Sequence, residues 1–148
     1  MDDLGAYWRA FRSSRLDLPD EPSDVFAFGN TPEMADELGA LVVQGVKTAT
    51  TSALQAYRAD ELLPQAGDLS VVIGSKGSPL CIIETTEVRV LPFAEVDAAF
   101  AYDEGEGDRS LAYWRAEHKR FFSETLPRPF DEAMRVVCER FRVVWPAA

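Results

Sequence analysis

Two runs rich in β-branched residues, 68–73 (DLSVVI) and 80–91 (LCIIETTEVRVL), are joined by Gly74-Ser75-Lys76-Gly77-Ser78. A short glycine- and serine-rich connection predicts a hairpin, so the two strands are antiparallel neighbours. A third apolar run, 135–145 (RVVCERFRVVW), closes the chain as a strand. Neighbouring parallel strands need a helical crossover, and hairpin connections dominate the middle of this chain instead. The expected class is therefore α+β: a small, strongly curved sheet or β-barrel with helices packed outside it, not a doubly wound parallel sheet.

The helices flank that core. Tyr7, Trp8 and Phe11 have helical spacing within 3–13. Residues 17–24 hold two prolines and four acids and read as an exposed loop. Thr31-Pro32-Glu33 starts a helix over 32–44, with a hydroxyl cap, proline in the first turn and an acid beside it; Gly45 stops it. A short helix is expected over 93–102. Another is expected over 109–123, capped by Asp108 or Ser110. At 148 residues the chain is one globular domain, with an N-terminal helix and loop (1–25) preceding the main body (26–146).

The net charge is −10, a poor match for duplex nucleic acid. Residues 109–142 run against that trend, with eight basic and five acidic groups. They form either a local basic face or a set of ion pairs with the acidic remainder. No apolar run approaches the ~20 residues of a membrane span, and no basic-then-apolar leader opens the chain, so a cytoplasmic protein is expected. Cys81 and Cys138 sit in apolar strand-like runs and are expected as buried free thiols. Two cysteines and one histidine make no zinc site without carboxylates, and no metal or other cofactor is expected.

The most unusual segment is Gly45-Val46-Lys47-Thr48-Ala49-Thr50-Thr51-Ser52. A lysine beyond a helix end favours the dipole, and threonines are ordinary strand residues. The same residues also suit chemistry: a desolvated lysine can act as a base and a nearby hydroxyl as a nucleophile. In a strand, Lys47 and Thr51 share one face and Thr48 and Thr50 the other; in a turn, Lys47 and Thr50 converge. Glu104-Gly105-Glu106-Gly107-Asp108 is either a solvated acidic turn or a loop that offers a carboxylate to a cleft. His118, the only histidine, shares a helical stripe with Leu111, Trp114 and Phe121 and reads best as a core or boundary residue. Tyr113 and Trp114 suit either core packing or base stacking.

Taken in order, several segments resemble the ASCH domain family. They are Gly45-Val46-Lys47-Thr48-Ala49-Thr50-Thr51 after the helix 32–44, Gly67-Asp68, Glu84-Thr85-Thr86-Glu87-Val88, Phe93 with Val96, the 104–111 segment before Tyr113-Trp114, and Val137-Cys138-Glu139-Arg140-Phe141. The resemblance covers about residues 26–145. It implies a PUA-like β-barrel with helices around a cleft, and binding of RNA or of a small nucleoside. It also implies a site of Lys47, Thr50 and a glutamate, best Glu106 with Glu104 possible. In that site Lys47 is the base, Thr50 the nucleophile and Glu106 a group that orients Lys47 or relays a proton. Thr48, Thr51, Glu104, Arg109 and Trp114 are the expected substrate-binding neighbours. Three readings follow: an amidohydrolase on acylated cytidine or a similar nucleoside, a metal-independent ribonuclease on single-stranded RNA, and a non-catalytic RNA-binding module. Membrane and duplex DNA are not expected partners, and the oligomeric state is open. With Lys47 at the rim of the sheet, its replacement by alanine is expected to change stability by no more than about 0.5 kcal/mol.

Overall fold

A computed structural model describes residues 3–15 and 17–146. In chain order the elements are α1 (Asp3–Arg12), β1 (Asp24–Phe26), α2 (Pro32–Val43), β2 (Ala49–Ala53), β3 (Leu69–Ile73), β4 (Pro79–Pro92), α3 (Ala98–Glu104), α4 (Leu111–Thr125) and β5 (Arg135–Trp145). The strands form one five-stranded sheet in the order β1-β3-β4-β5-β2. Its spine is the long antiparallel pair of β4 and β5, with Ile82 opposite Trp145 at one end and Pro92 opposite Arg135 at the other. The register shifts twice along it, between Ile82 and Ile83 and between Thr85 and Glu87. Each irregularity bends and twists the strands locally, which curls the sheet into a half-barrel. The two edge strands, β1 and β2, both reach a single cavity although they lie at opposite ends of the sheet order.

The hairpin between β3 and β4 and the closing strand lie where the sequence pattern places them. Two local features differ. β1 pairs with β3 in parallel, an element too short for any periodicity to announce. The segment expected as one helix over 93–102 divides into a 3₁₀ turn at Phe93–Glu95 and α3, because Asp97 caps α3 by accepting from Phe100 N at 2.9 Å. Of the two caps expected for α4, Ser110 is the one used, accepting from Tyr113 N; Asp108 accepts from Ser110 N. β2 settles the open reading of the threonine run as a strand.

Apolar side chains explain the packing on each side of the sheet. α1 lays Trp8 and Phe11 on Leu69, Val71 and Ile82. Burial of side chains of this size stabilises by roughly 1.5–3 kcal/mol each. α3 and α4 cover the other side through Phe100, Trp114 and Phe122, against Ala49, Ala53 and Val136. Cys81 and Cys138 are free and buried; burial pushes their thiols up to about 11 and about 12, so neither is a thiolate at neutral pH. Among the described residues no helix is long and apolar enough to cross a membrane.

Three backbone hydrogen bonds aim the residues that follow α2. Val46 N and Lys47 N both donate to Leu41 O, at 3.0 and 3.1 Å, which tightens the turn after Gly45. Thr48 N then donates to Asp103 O at 2.7 Å, tying the start of β2 to the end of α3. Gly105 completes the junction. It is left-handed at φ +74, and a Cβ there would lie 2.7 Å from Val46 O, so only glycine fits without displacing one of the two chains.

Candidate functional site

Lys47 lies at this junction and is 1% exposed. Its Nζ donates to Ala49 O at 2.9 Å, to Glu104 Oε1 at 3.1 Å, to Glu104 O at 3.3 Å and to Glu106 Oε2 at 2.8 Å. The ammonium group is thus saturated by acceptors, with the Phe28 ring 5.5 Å away. Burial pushes the Lys47 amine down, but the carboxylates of Glu104 and Glu106 outweigh it and hold the amine above the ordinary lysine value. Lys47 is therefore a buried cation.

Glu104 is the centre of the cluster. Its Oε2 accepts from Thr51 Oγ1 at 2.6 Å and from Trp114 Nε1 at 2.6 Å, and lies 3.3 Å from His118 Nε2. Burial alone would raise its carboxyl; Lys47, His118 and Thr51 reverse that and hold it far below the usual carboxylate range. Strand alternation explains the selection. β2 turns Thr51 and its face toward the helices, and the turn before β2 delivers Lys47 to the same carboxylate. On α4, Trp114 and His118 are four residues apart, so both reach the same carboxylate. The stripe that marks His118 as a core residue also delivers it to the cluster.

The second ring nitrogen of His118 lies 2.9 Å from Trp114 O. Both nitrogens face acceptors, and only the imidazolium donates from both. Burial pushes the ring down, yet the hydrogen bond and charge of Glu104 raise it above its ordinary value near 6.5. A raised folded-state value favours the charged form on folding. The stabilisation is complete below about pH 6.5 and is lost as pH rises through the raised value. Denaturant unfolding is expected to give a midpoint that falls as pH is raised from 6.5, with that part of the slope absent in His118→Gln.

The other expected site residues are distributed differently. Glu106 joins Lys47, so the lysine and the 104–108 loop meet. Thr50 and Ser52 point to the opposite face of β2 and line a cavity of about 780 Å³ at the seam between β1 and β2. Thr50 makes no hydrogen bond to Lys47 among the described residues; the cavity and the cluster adjoin through Phe28, which lines the one and lies beside the Lys47 amine of the other. Thr48 Oγ1 donates to Asp103 O at 3.3 Å. Arg109 stacks on Tyr102 at 3.6 Å and donates to Tyr102 O and Val46 O, so it braces the loop. Trp114 is buried, stacked on His118 at 4.2 Å and packed against Phe93, which leaves no free face for a base. Several arginines of the basic stretch are engaged in ion pairs: Arg120 with Glu117 and Glu124, Arg140 with Asp103 and Glu87, and Arg142 with Glu84.

Sequence reasoning names Glu139 only within the 137–141 segment of the resemblance and gives it no role in the site. It lines the cavity, and its Oε2 accepts from Thr85 Oγ1 at 2.6 Å. The local signal for it is an acid directly after the apolar triplet Val136-Val137-Cys138 of β5.

Fold and site together define a helix-flanked half-barrel in which the end of the third helix and the loop after it clamp a buried lysine with two carboxylates, Glu104 and Glu106. The ASCH domain matches residues 24–145, and the chain belongs to the ASCH domain family. Among solved structures, an ASCH domain from Lactobacillus crispatus JV V101 is 33% identical, with a TM-score of 0.87 over 97% of this chain and 94% of that one. A protein from Enterococcus faecalis V583 is 39% identical, with a TM-score of 0.86 over 96% and 92%. A further structure, of a hypothetical protein at 15% identity and a TM-score of 0.55, shares the fold alone. No curated protein matches the chain.

Proposed function

We propose that the seam cavity holds a single nucleobase, carried by a modified nucleoside or by single-stranded RNA, with the Lys47 cluster as the rigid support behind it. The observation that carries this reading is the cavity lining. Phe26, Phe28 and Tyr57 supply aromatic surface, and Thr50, Ser52, Ser70 and Thr85 supply hydroxyls, in a volume of about 780 Å³. Apolar walls with a few placed polar groups are the ordinary composition of a small-ligand site. Stacking of one base on an aromatic side chain is worth about 1–3 kcal/mol. Membership of the ASCH domain family supports the RNA-related direction.

Hydrolysis of an acylated nucleoside is the catalytic form of the same reading. Thr50, in the cavity wall, is its candidate nucleophile. Lys47 suits charge and positioning better than base catalysis, because its N–H groups are committed and two carboxylates oppose loss of its proton. Calorimetric titration with cytidine, acetylated cytidine and a short single-stranded RNA, at low and high salt, tests the reading. Binding of at least one is expected, weakened tenfold or more in Tyr57→Ala with the fold retained. Release of acetate by the wild type and not by Thr50→Val would add the reaction. No binding by any of the three would overturn the proposal.

A further inference from the structure

The charge of the cavity wall is one-sided. Asp24, Glu61, Asp68 and Glu139 line it, and among the described residues no lysine, arginine or histidine does. Three of these acids are at the rim or are engaged locally: Asp24 accepts from its neighbour Val25 N, Asp68 accepts from Gln65 N, and Glu61 accepts from Arg58 N. Glu139 is different. β5 fixes it between β2 and β4, opposite Thr50 on one side and Val88 on the other. Thr85, itself buried, holds its Oε2. Its Oε1 accepts no hydrogen bond among the described residues. Burial raises the Glu139 carboxyl, Thr85 opposes this, and Asp68 and Asp24 add to the rise, as expected for an acid set in a wall with others nearby.

A half-buried carboxylate with unused lone pairs is stabilised by an N–H donor and destabilised by a second anion. A ligand that brings an exocyclic amine or ring N–H to Oε1 satisfies it. A ligand that brings a phosphate to the same cavity meets four carboxylates and no cation.

We propose that Glu139 is the specificity-determining acceptor of this cavity, and that the acid wall around it selects an unphosphorylated nucleoside with an N–H donor over its nucleotide or an RNA strand. This rests on the base-binding reading above and narrows it.

The salt dependence has an unusual sign. Proteins that neutralise phosphates lose affinity as salt rises. Here the phosphate is repelled, so screening relieves the repulsion and nucleotide binding strengthens with salt. Nucleoside binding is unchanged.

Titration of the full chain with cytidine, cytidine 5′-monophosphate and N4,N4-dimethylcytidine, at low and high salt, tests the proposal. Cytidine is expected to bind at least tenfold more tightly than its monophosphate at low salt, with the gap closing at high salt. Dimethylation, which removes the N–H donors, is expected to weaken binding about tenfold. Glu139→Gln keeps the shape and removes the charge, and is expected to narrow the nucleotide gap several-fold. The ligand series on the unaltered protein stands whether or not that variant folds. Equal or tighter binding of the monophosphate, or its weakening by salt, overturns the acid-wall proposal and leaves the base-binding reading intact. Equal binding of the dimethylated nucleoside overturns the role of the donor. Binding by none of the three, nor by acetylated cytidine or RNA, overturns both proposals.

Discussion

Lys47→Met is expected to destabilise the protein by about 3–5 kcal/mol, the cost of breaking a buried ion pair from one side. The lysine is 1% exposed, and its loss leaves the fully buried Glu104 side chain with His118 as its remaining cationic neighbour and takes the partner from Glu106. This reverses the expectation for a rim lysine, whose replacement costs little because water takes its place. Lys47 is buried instead, with the Gly105 turn and the Phe28 ring against it. Urea unfolding of the wild type, Lys47→Met, Glu104→Gln and the double variant measures the effect. The double variant is expected to recover part of the loss, since it removes both charges together. A single-variant change within about 0.5 kcal/mol would show that the pair contributes nothing to folding.

Trp114→Phe is expected to cost about 1.5–3 kcal/mol, the range for a hydrogen bond to a buried charged group. Phenylalanine retains a ring for packing against Phe93 and His118, so the main loss is the indole N–H that donates to Glu104 Oε2 at 2.6 Å. Trp114→Ala would add the cost of a core cavity, for a total of about 3–5 kcal/mol. The Phe variant also separates two roles. A tryptophan that stacks on a ligand is largely replaced by phenylalanine, with binding weakened and stability little changed. A tryptophan that anchors Glu104 lowers the unfolding midpoint instead. Denaturant unfolding with and without nucleoside distinguishes them.

The sequence alone determined the parts of this protein that depend on neighbours in the chain. Thr31 and Pro32 start α2, the apolar period of 135–145 makes β5, and the glycine-serine run makes the β3–β4 hairpin, because caps, periodicity and turn residues act over a few positions. Lys47 and the 104–108 loop were legible as partners only through the ordered resemblance to a family, since no local rule joins residues 59 positions apart. Alternation along β2 separated Thr51 from Thr50, but it did not say which face meets a carboxylate and which meets a cavity. That was decided by the pairing of β2 with β5 and by the curl that irregular register imposes on β4 and β5. The same tertiary steps chose the rest. Closure of α3 onto β2 buried Lys47 and gave it both Glu104 and Glu106, where the sequence had left the two as alternatives. Docking of α4 brought His118 to Glu104, and the three residues of β1 became a strand only by meeting β3. Side-chain burial and long-range pairing are properties of surfaces brought together by folding, and the spacing of residues along a chain carries them only in outline.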